Sequence, residues 1–380
     1  MNFLKSLLVS LLVCALFVAG MEWILGKKFP KSPIVSRYIR LRESPVNEHR
    51  VLPMTESFRK ECDGLGKDSV EYRTDGNGFM EPSIIYPSPD QTIVFMGGST
   101  TFCKWVDEKN RYPYLVGRLL EEKTGLRINS INAGVPGNHS MHSLNALVNK
   151  ILPLHPDIVV LHHNINDLVT LMILGSYWND HFRRSLILTD SSYSWRGFFM
   201  FVRYRLLRNT CDYFLAFPFF ENLTTKYQYR NQDEFDSIRG KMVHWDDDEI
   251  ASEFEKSLQN FVDVCRGRGI RVVLMTQPNR FTEVPDPIVR VKMNGLASDF
   301  GISYESFRRD YLKFNNVIRR VAKVNDVPLV DLANLVPPTS GYIYDTVHLN
   351  DNGSQEVAAM ITEHLMPICR AFLSVGTGKS

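Results

Sequence analysis

From residue 92 to residue 372 the hydrophobic positions switch repeatedly between two patterns. Short continuous apolar runs, clearest at Ile93-Val94-Phe95-Met96 and Ile158-Val159-Val160-Leu161, read as strands covered on both faces. Residues 126–131, 270–275 and 327–332 predict three more strands. Between them, helical spacing predicts helices over 111–124, closed by Gly125, over 140–152, closed by Pro153, and over 249–266, 303–324 and 350–372, with a proline-containing excursion over 280–303. Strands and helices in alternation predict a doubly wound parallel sheet, an α/β/α sandwich of five strands. Ligands dock at the carboxyl ends of such strands, so the residues that follow each strand are the ones to read for chemistry.

Four stretches stand at those ends. The first strand runs into Gly97-Gly98-Ser99, which places a hydroxyl just beyond the sheet edge; the plain alternative is a serine that caps the next helix. The second delivers Asn132-Ala133-Gly134-Val135-Pro136-Gly137-Asn138, and the third Asn164-Ile165-Asn166-Asp167. Asp345 precedes His348 by three residues, a spacing at which a carboxylate orients an imidazole that deprotonates a serine. The backbone N–H of Gly137 and the side-chain amide of Asn166 are donor types that an oxyanion hole requires. The Gly-x-Ser-x-Gly elbow fails here because residue 101 is Thr.

These stretches, in this order, make residues 70–370 resemble the SGNH (GDSL-type) hydrolase family. The resemblance implies a flavodoxin-like five-stranded sheet and a Ser-His-Asp triad of Ser99, His348 and Asp345. It also implies an oxyanion hole from Ser99, Gly137 and Asn166, with no cofactor or metal. Two positions depart from the family pattern. Gly98 stands where the usual Gly-Asp-Ser has Asp, and Asn164 where the usual Gly-x-Asn-Asp has Gly. Neither supplies an atom to the implied chemistry.

Composition narrows the setting. A length of 380 residues allows one large or two modest domains, and a net charge of +2 implies no nucleic-acid partner. Lys5, the apolar run from Leu7 to Gly20 and the segment up to Leu25 read as a signal anchor over 1–25, with a cleaved signal peptide as the alternative. Positive charge after it (Lys27, Lys28, Arg37, Arg40, Arg42) runs against an amino-terminus-inside orientation, yet export remains the expectation. Residues 26–69, broken by prolines, read as a tether, and 70–375 as the hydrolase-like domain with an insertion over 170–247. Asp75-Gly76 and Asn77-Gly78 signal a hairpin or extended arm over 71–79.

The insertion holds aromatic clusters at 195–201 and 213–220 with Arg183, Arg184, Arg203, Arg205 and Arg208. A lid, a membrane-facing surface and an acceptor wall all fit, and a subdomain that buries its aromatics fits best. Six cysteines show no zinc spacing, and in an oxidising compartment one or two disulfides are open to them; Cys103 reads as a buried small hydrophobe. Asp246-Asp247-Asp248-Glu249 reads as an acidic first helical turn, not a metal site. His162 and His163 face opposite sides of their strand, one packed and the other open to the cleft. Asp167 is expected to cap a helix or support the Asn166 loop, and Gln277 and Asn279 to form a turn or touch substrate.

The resulting expectation is a serine ester hydrolase that removes O-acetyl groups from a carbohydrate outside the cytoplasm, in the periplasm, at a membrane held by the N-terminal segment. A glycan O-acetyltransferase, a lipid acylhydrolase and a non-catalytic glycan-binding protein of the same fold are the alternatives.

Overall fold

A computed structural model describes residues 2–28, 37–181, 183–189, 235 and 238–376. The strands in chain order are β1 (Arg37–Ile39), β2 (His49–Pro53), β3 (Ser69–Arg73), β4 (Gln91–Gly97), β5 (Ile128–Asn132), β6 (Ile158–His162), β7 (Ile187–Thr189), β8 (Arg271–Met275) and β9 (Leu329–Val330). The chain divides into two units. One comprises Met1–Ile39 and Ile187–Asp212, and holds the helix Asn2–Lys28 and the antiparallel pair β1–β7, with Tyr38 opposite Leu188. Leu8, Leu12, Leu16 and Phe17 of that helix are exposed. Side chains are described for its residues 5–21 and 24, and among the described residues no helix is long and apolar enough to cross a membrane.

The other unit comprises Arg40–Leu186 and Tyr213–Ser380. Its sheet has the order β5-β4-β6-β8-β9, every pair parallel. Numbered from its own first strand this is 2-1-3-4-5, the flavodoxin-like order, whose topological switch point lies between β4 and β6. β4, β5 and β6 are buried almost throughout; β4 and β6 therefore read as continuous apolar runs, while β5 buries polar Asn129, Ser130 and Asn132 among its isoleucines.

The pleat divides each strand between two faces. Ile93, Phe95, Val160 and Val273 join Val116 and Leu120 of the helix Tyr112–Thr124 and Val357, Ile361 and Leu365 of the helix Asp351–Gly376 in one core. The helices Asp247–Gly267 and Tyr304–Val324 pack on each other through stacked Phe254 and Phe314, with ring centroids 4.6 Å apart, and both contact β8. Ser303 caps the second of these by accepting the Ser306 N–H at 3.1 Å, after which Phe307, Tyr311, Phe314, Ile318 and Val321 form one buried face. Asp246 caps the first, accepting from the Asp248 and Glu249 N–H groups, and Lys313 neutralises Asp247 and Asp248. The acidic run is therefore a helix start.

Several expectations shift. The helix expected over 140–152 is α-helical only at Ser140–Ala146 and widens to a π turn at Leu147–Ile151. β9 holds only Leu329–Val330 of the run expected over 327–332. The proline-containing stretch 280–303 includes the helix Pro287–Phe300, started by Asp286 as cap and Pro287 in the first turn. From Arg40 onward the stretch expected as a tether belongs to the sheet's unit: β2 pairs with β3, and Met54 and Cys62 are buried with Val70, Trp105 and Tyr344. Asp75 shapes the following arm, its carboxylate accepting the N–H groups of Asn77 and Phe79. Cys14, Cys62, Cys103, Cys265 and Cys369 are free thiols, so no disulfide joins them. Cys103 is buried, and burial pushes its thiol up to about 12, as a small hydrophobe requires. The aromatic clusters at 195–201 and 213–220, with Arg203, Arg205, Arg208 and Cys211, lie outside the described residues.

Candidate active site

Ser99 opens the short helix Ser99–Phe102 directly after β4, with Gly98 as the N-cap, so its hydroxyl is not spent on capping. It is half-buried, and its Oγ lies 2.7 Å from His348 Nε2. On the other side of the ring, His348 Nδ1 lies 2.7 Å from Asp345 Oδ2. A carboxylate accepts only, so Nδ1 carries the proton and Nε2 is left to accept from the serine hydroxyl. The three-residue spacing has a local cause. Asp345 Oδ1 accepts the N–H groups of Val347 (2.9 Å) and His348 (2.8 Å), closing a turn that turns the imidazole back onto the same carboxylate. Burial works against ionisation of Asp345, but the charge that His348 carries once protonated, its hydrogen bond and these two N–H groups outweigh it and hold the carboxyl below its usual range.

The loop that carries this pair is anchored from two directions. Tyr344 stacks on the His348 ring at 5.6 Å, and Phe58 meets Tyr344 edge-on at 6.2 Å and stacks on Trp105. Arg280, 4% exposed, forms ion pairs with Asp63 and Asp286, donates to the Ile343 carbonyl at 3.2 Å, and has its own N–H on the Thr346 carbonyl.

Gly137 and Asn166 come from the ends of β5 and β6. Gly137 sits at φ +76°, the left-handed geometry of a turn closed by the Asn138 N–H on the Val135 carbonyl. Arg42 grips that turn from outside, Nη1 donating to the Gly137 carbonyl and Nη2 to the Pro136 carbonyl, each at 2.8 Å. Asn166 Nδ2 donates to the Asn138 carbonyl at 2.9 Å. The same nitrogen borders Gly98: a Cβ there would lie 2.3 Å from it. Glycine in the place of the family's usual Asp thus lets the Asn166 amide approach the backbone that carries Ser99. Asn164, the second departure, is buried, and its Nδ2 reaches the Tyr311 carbonyl and Asn315 Oδ1.

Gln277 does not face open solvent. It is buried; its Nε2 donates to Thr100 Oγ1 at 3.0 Å, and its Oε1 accepts the Ile165 N–H at 3.0 Å and the Tyr311 hydroxyl. It thereby ties the residue after Ser99 to the residue before Asn166. Asn279 closes a turn by accepting the Phe281 N–H.

A buried polar layer underlies the amide. Asp167 Oδ1 accepts the Ser140 N–H at 2.9 Å, the Ser140 hydroxyl and the Tyr177 hydroxyl, which fixes the helix after Gly137 to the helix of Asn166. Burial raises Asp167 to about 6 in spite of these bonds. His163 Nε2 meets Ser143 Oγ at 2.7 Å, with Nδ1 3.6 Å from Asp167. His162, on the opposite side, has Nδ1 3.3 Å from the Tyr112 hydroxyl. Both histidines are buried, so neither lines the cleft as one was expected to. The His139 and His142 rings lie against each other, tilted, with centroids 3.7 Å apart, and their Nε2 atoms meet the carbonyls of Arg184 (3.0 Å) and Ser185 (3.3 Å). Burial pulls His142, His162 and His163 down to about 3, and His139 far below its usual value, so all four stay neutral.

The structure thus brings all five sequence-selected residues to one sheet edge, Ser99, His348 and Asp345 as a continuous hydrogen-bonded chain. In such a chain the imidazole can take the hydroxyl proton as the oxygen attacks a carbonyl. Asp246, Asp247 and Asp248 are the acidic cluster with the closeness a metal needs among the described residues, and they are engaged in capping and ion pairs.

No curated protein matches the sequence. Among solved structures, the acetyl xylan esterase AlAXEase is 18% identical, covering 72% of this chain and 98% of its own, with a TM-score of 0.41. An acetylxylan esterase from Geobacillus stearothermophilus is 14% identical (73% and 94%; TM-score 0.42). A lipase/acylhydrolase from Enterococcus faecalis is 16% identical (73% and 96%; TM-score 0.42). The model of the GDSL-like lipase/acylhydrolase family matches residues 95–356, a stretch that runs from β4 past His348. Over more than half of its length the sequence fits that one description, and the chain belongs to the GDSL-like lipase/acylhydrolase family, an ester hydrolase by lineage.

Proposed function

We propose that the protein is a serine esterase that removes O-acetyl groups from a carbohydrate, working outside the cytoplasm and held at a membrane by its N-terminal apolar segment. The observation that carries the mechanism is the chain Ser99 Oγ–His348 Nε2, His348 Nδ1–Asp345 Oδ2, with both contacts at 2.7 Å. In the first half-reaction Ser99 Oγ attacks the ester carbonyl carbon while its proton passes to His348 Nε2. The oxyanion is received by the Ser99 and Gly137 N–H groups and the Asn166 amide. The intermediate collapses as the C–O bond to the alcohol breaks and His348 returns the proton to the departing oxygen. Water then attacks the acyl-enzyme by the same route and releases the acid and free Ser99. Asp345, held ionised by its surroundings, stabilises the imidazolium in both halves.

The acetyl and carbohydrate assignment rests on the resemblance to exported members of the family, and the location on the apolar run from Leu7 to Gly20. The test is hydrolysis of nitrophenyl acetate and nitrophenyl octanoate by the full chain, beside Ser99→Ala and His348→Ala. The proposal expects acetate to be the faster substrate and both variants to lose turnover. Faster octanoate cleavage replaces the glycan with a lipid. Turnover that needs an added sugar and leaves it acylated replaces hydrolysis with transfer.

A further inference from the structure

The insertion that the sequence left without a role contributes a side chain to the oxyanion side of this site. Arg184 is 5% exposed. Its Nη1 lies 3.2 Å from Asn166 Oδ1, 3.4 Å from the Gly137 carbonyl and 3.5 Å from both the Asn166 carbonyl and Thr170 Oγ1. The guanidinium lies over the Phe235 ring at 5.6 Å, and its backbone carbonyl receives His139 Nε2.

The chemistry of the amide gives this contact its meaning. An asparagine side chain has near-identical shapes in its two flipped orientations, and only its partners decide which end is nitrogen. Arginine has donors only, so the atom facing Arg184 must be the oxygen. The Asn138 carbonyl is an acceptor only, so the atom facing it must be the nitrogen. The two partners sit at opposite ends of one amide and agree. With that orientation set, Nδ2 stands against Gly98, beside Ser99. Resting on the serine reading above, we propose that Arg184 is a positioning residue that fixes the Asn166 amide as an oxyanion donor and ties it to the Gly137 turn.

Preorganisation of this kind acts on the transition state and leaves ground-state binding alone. The test is a double-mutant cycle in the full chain on nitrophenyl acetate, with Arg184→Met, Asn166→Ala and both together. Arg184→Met is expected to lower kcat about 10-fold with KM within about twofold, and Asn166→Ala to lower kcat about 100-fold or more. If Arg184 acts through Asn166, the double variant matches Asn166→Ala within about twofold. Effects that multiply, a loss carried by KM, or an unchanged kcat in Arg184→Met would each overturn the inference. Should Arg184→Met fail to fold, Arg184→Lys, which keeps the charge and loses the planar fork, takes its place in the same cycle. Ser99→Ala separates the two levels. If it keeps full activity, the serine reading falls; if it is inactive and the cycle is multiplicative, only the role of Arg184 falls.

Discussion

A methyl group at residue 98 is the smallest perturbation with a large expected effect. A Cβ there would lie 2.3 Å from Asn166 Nδ2 and 3.1 Å from the Asn138 carbonyl oxygen. No ordinary contact is that short, so the amide must retreat by about 1 Å to regain a van der Waals separation. It cannot retreat freely, because its oxygen faces Arg184 and its nitrogen is bonded to Asn138. The donor therefore leaves its place relative to Ser99, or the Asn138 turn moves with it. A displacement of about 1 Å in catalytic geometry costs on the order of 100-fold in rate, or about 2.7 kcal/mol of transition-state stabilisation. Gly98 has φ −90°, outside the left-handed region, so the effect comes from contact and not from lost backbone freedom. In steady-state assays on nitrophenyl acetate, Gly98→Ala is expected to lower kcat/KM about 100-fold, mainly through kcat, while thermal unfolding moves by only a few degrees. Gly98→Asp, which restores the residue usual in the family, is expected to be at least as harmful. A Gly98→Ala enzyme within about threefold of the parent would refute the placement of Asn166 against this backbone.

Other expectations rest on separate parts of the structure. Asp345→Asn keeps the shape of the turn but leaves His348 without a carboxylate at Nδ1; kcat should fall roughly 1,000-fold or more, with KM little changed. Arg280→Met leaves Asp63, Asp286 and the Ile343 carbonyl without their shared donor, and urea melts should show a loss of about 2 kcal/mol, less than for a fully buried pair because both carboxylates are partly exposed. Stability should also fall in mild acid. His139, His142, His162 and His163 have lowered values in the folded state, so the unfolded chain binds more protons once pH drops below about 6.5; His142, His162 and His163 each remove about 1.4 kcal/mol per pH unit from there toward folded values of about 3, and His139 acts in the same direction. Asp167, raised to about 6, works in the opposite sense between about 6 and 4, but it is one group against four. Thermal melts at pH 7.5 and pH 5.5 should therefore show the lower midpoint at pH 5.5, and an equal or higher midpoint there would contradict the neutral, buried state of these rings.

The strands of the sheet and the residues at their ends were legible because the physics that forms them is local. β4 and β6 are covered on both faces and so appear as unbroken apolar runs, and glycine or asparagine marks the turns that follow. Asp345 and His348 lie within one turn of chain, so their spacing carried its own meaning. Arg42 and Gly137 are 95 positions apart and Arg184 and Gly137 are 47 apart; no spacing in a single sequence pairs an arginine with a distant backbone carbonyl. Gln277 was noticed at the end of β8, but nothing local says that it bridges Thr100 and Ile165 instead of meeting substrate. The helix Pro287–Phe300 carries a start signal in Asp286-Pro287, but Pro285 and Pro287 together suggested an irregular excursion. The π turn at Leu147–Ile151 answers to packing, which helical periodicity does not encode.

The central claim is that Ser99 becomes covalently acylated with help from His348. A fluorophosphonate that traps activated serines, followed by peptide mass spectrometry of the full chain, tests it most directly. One adduct on the peptide containing Ser99, absent in Ser99→Ala and strongly slowed in His348→Ala, is the predicted result. An ester-cleaving protein that takes no label at Ser99, or labels equally well without His348, would contradict it.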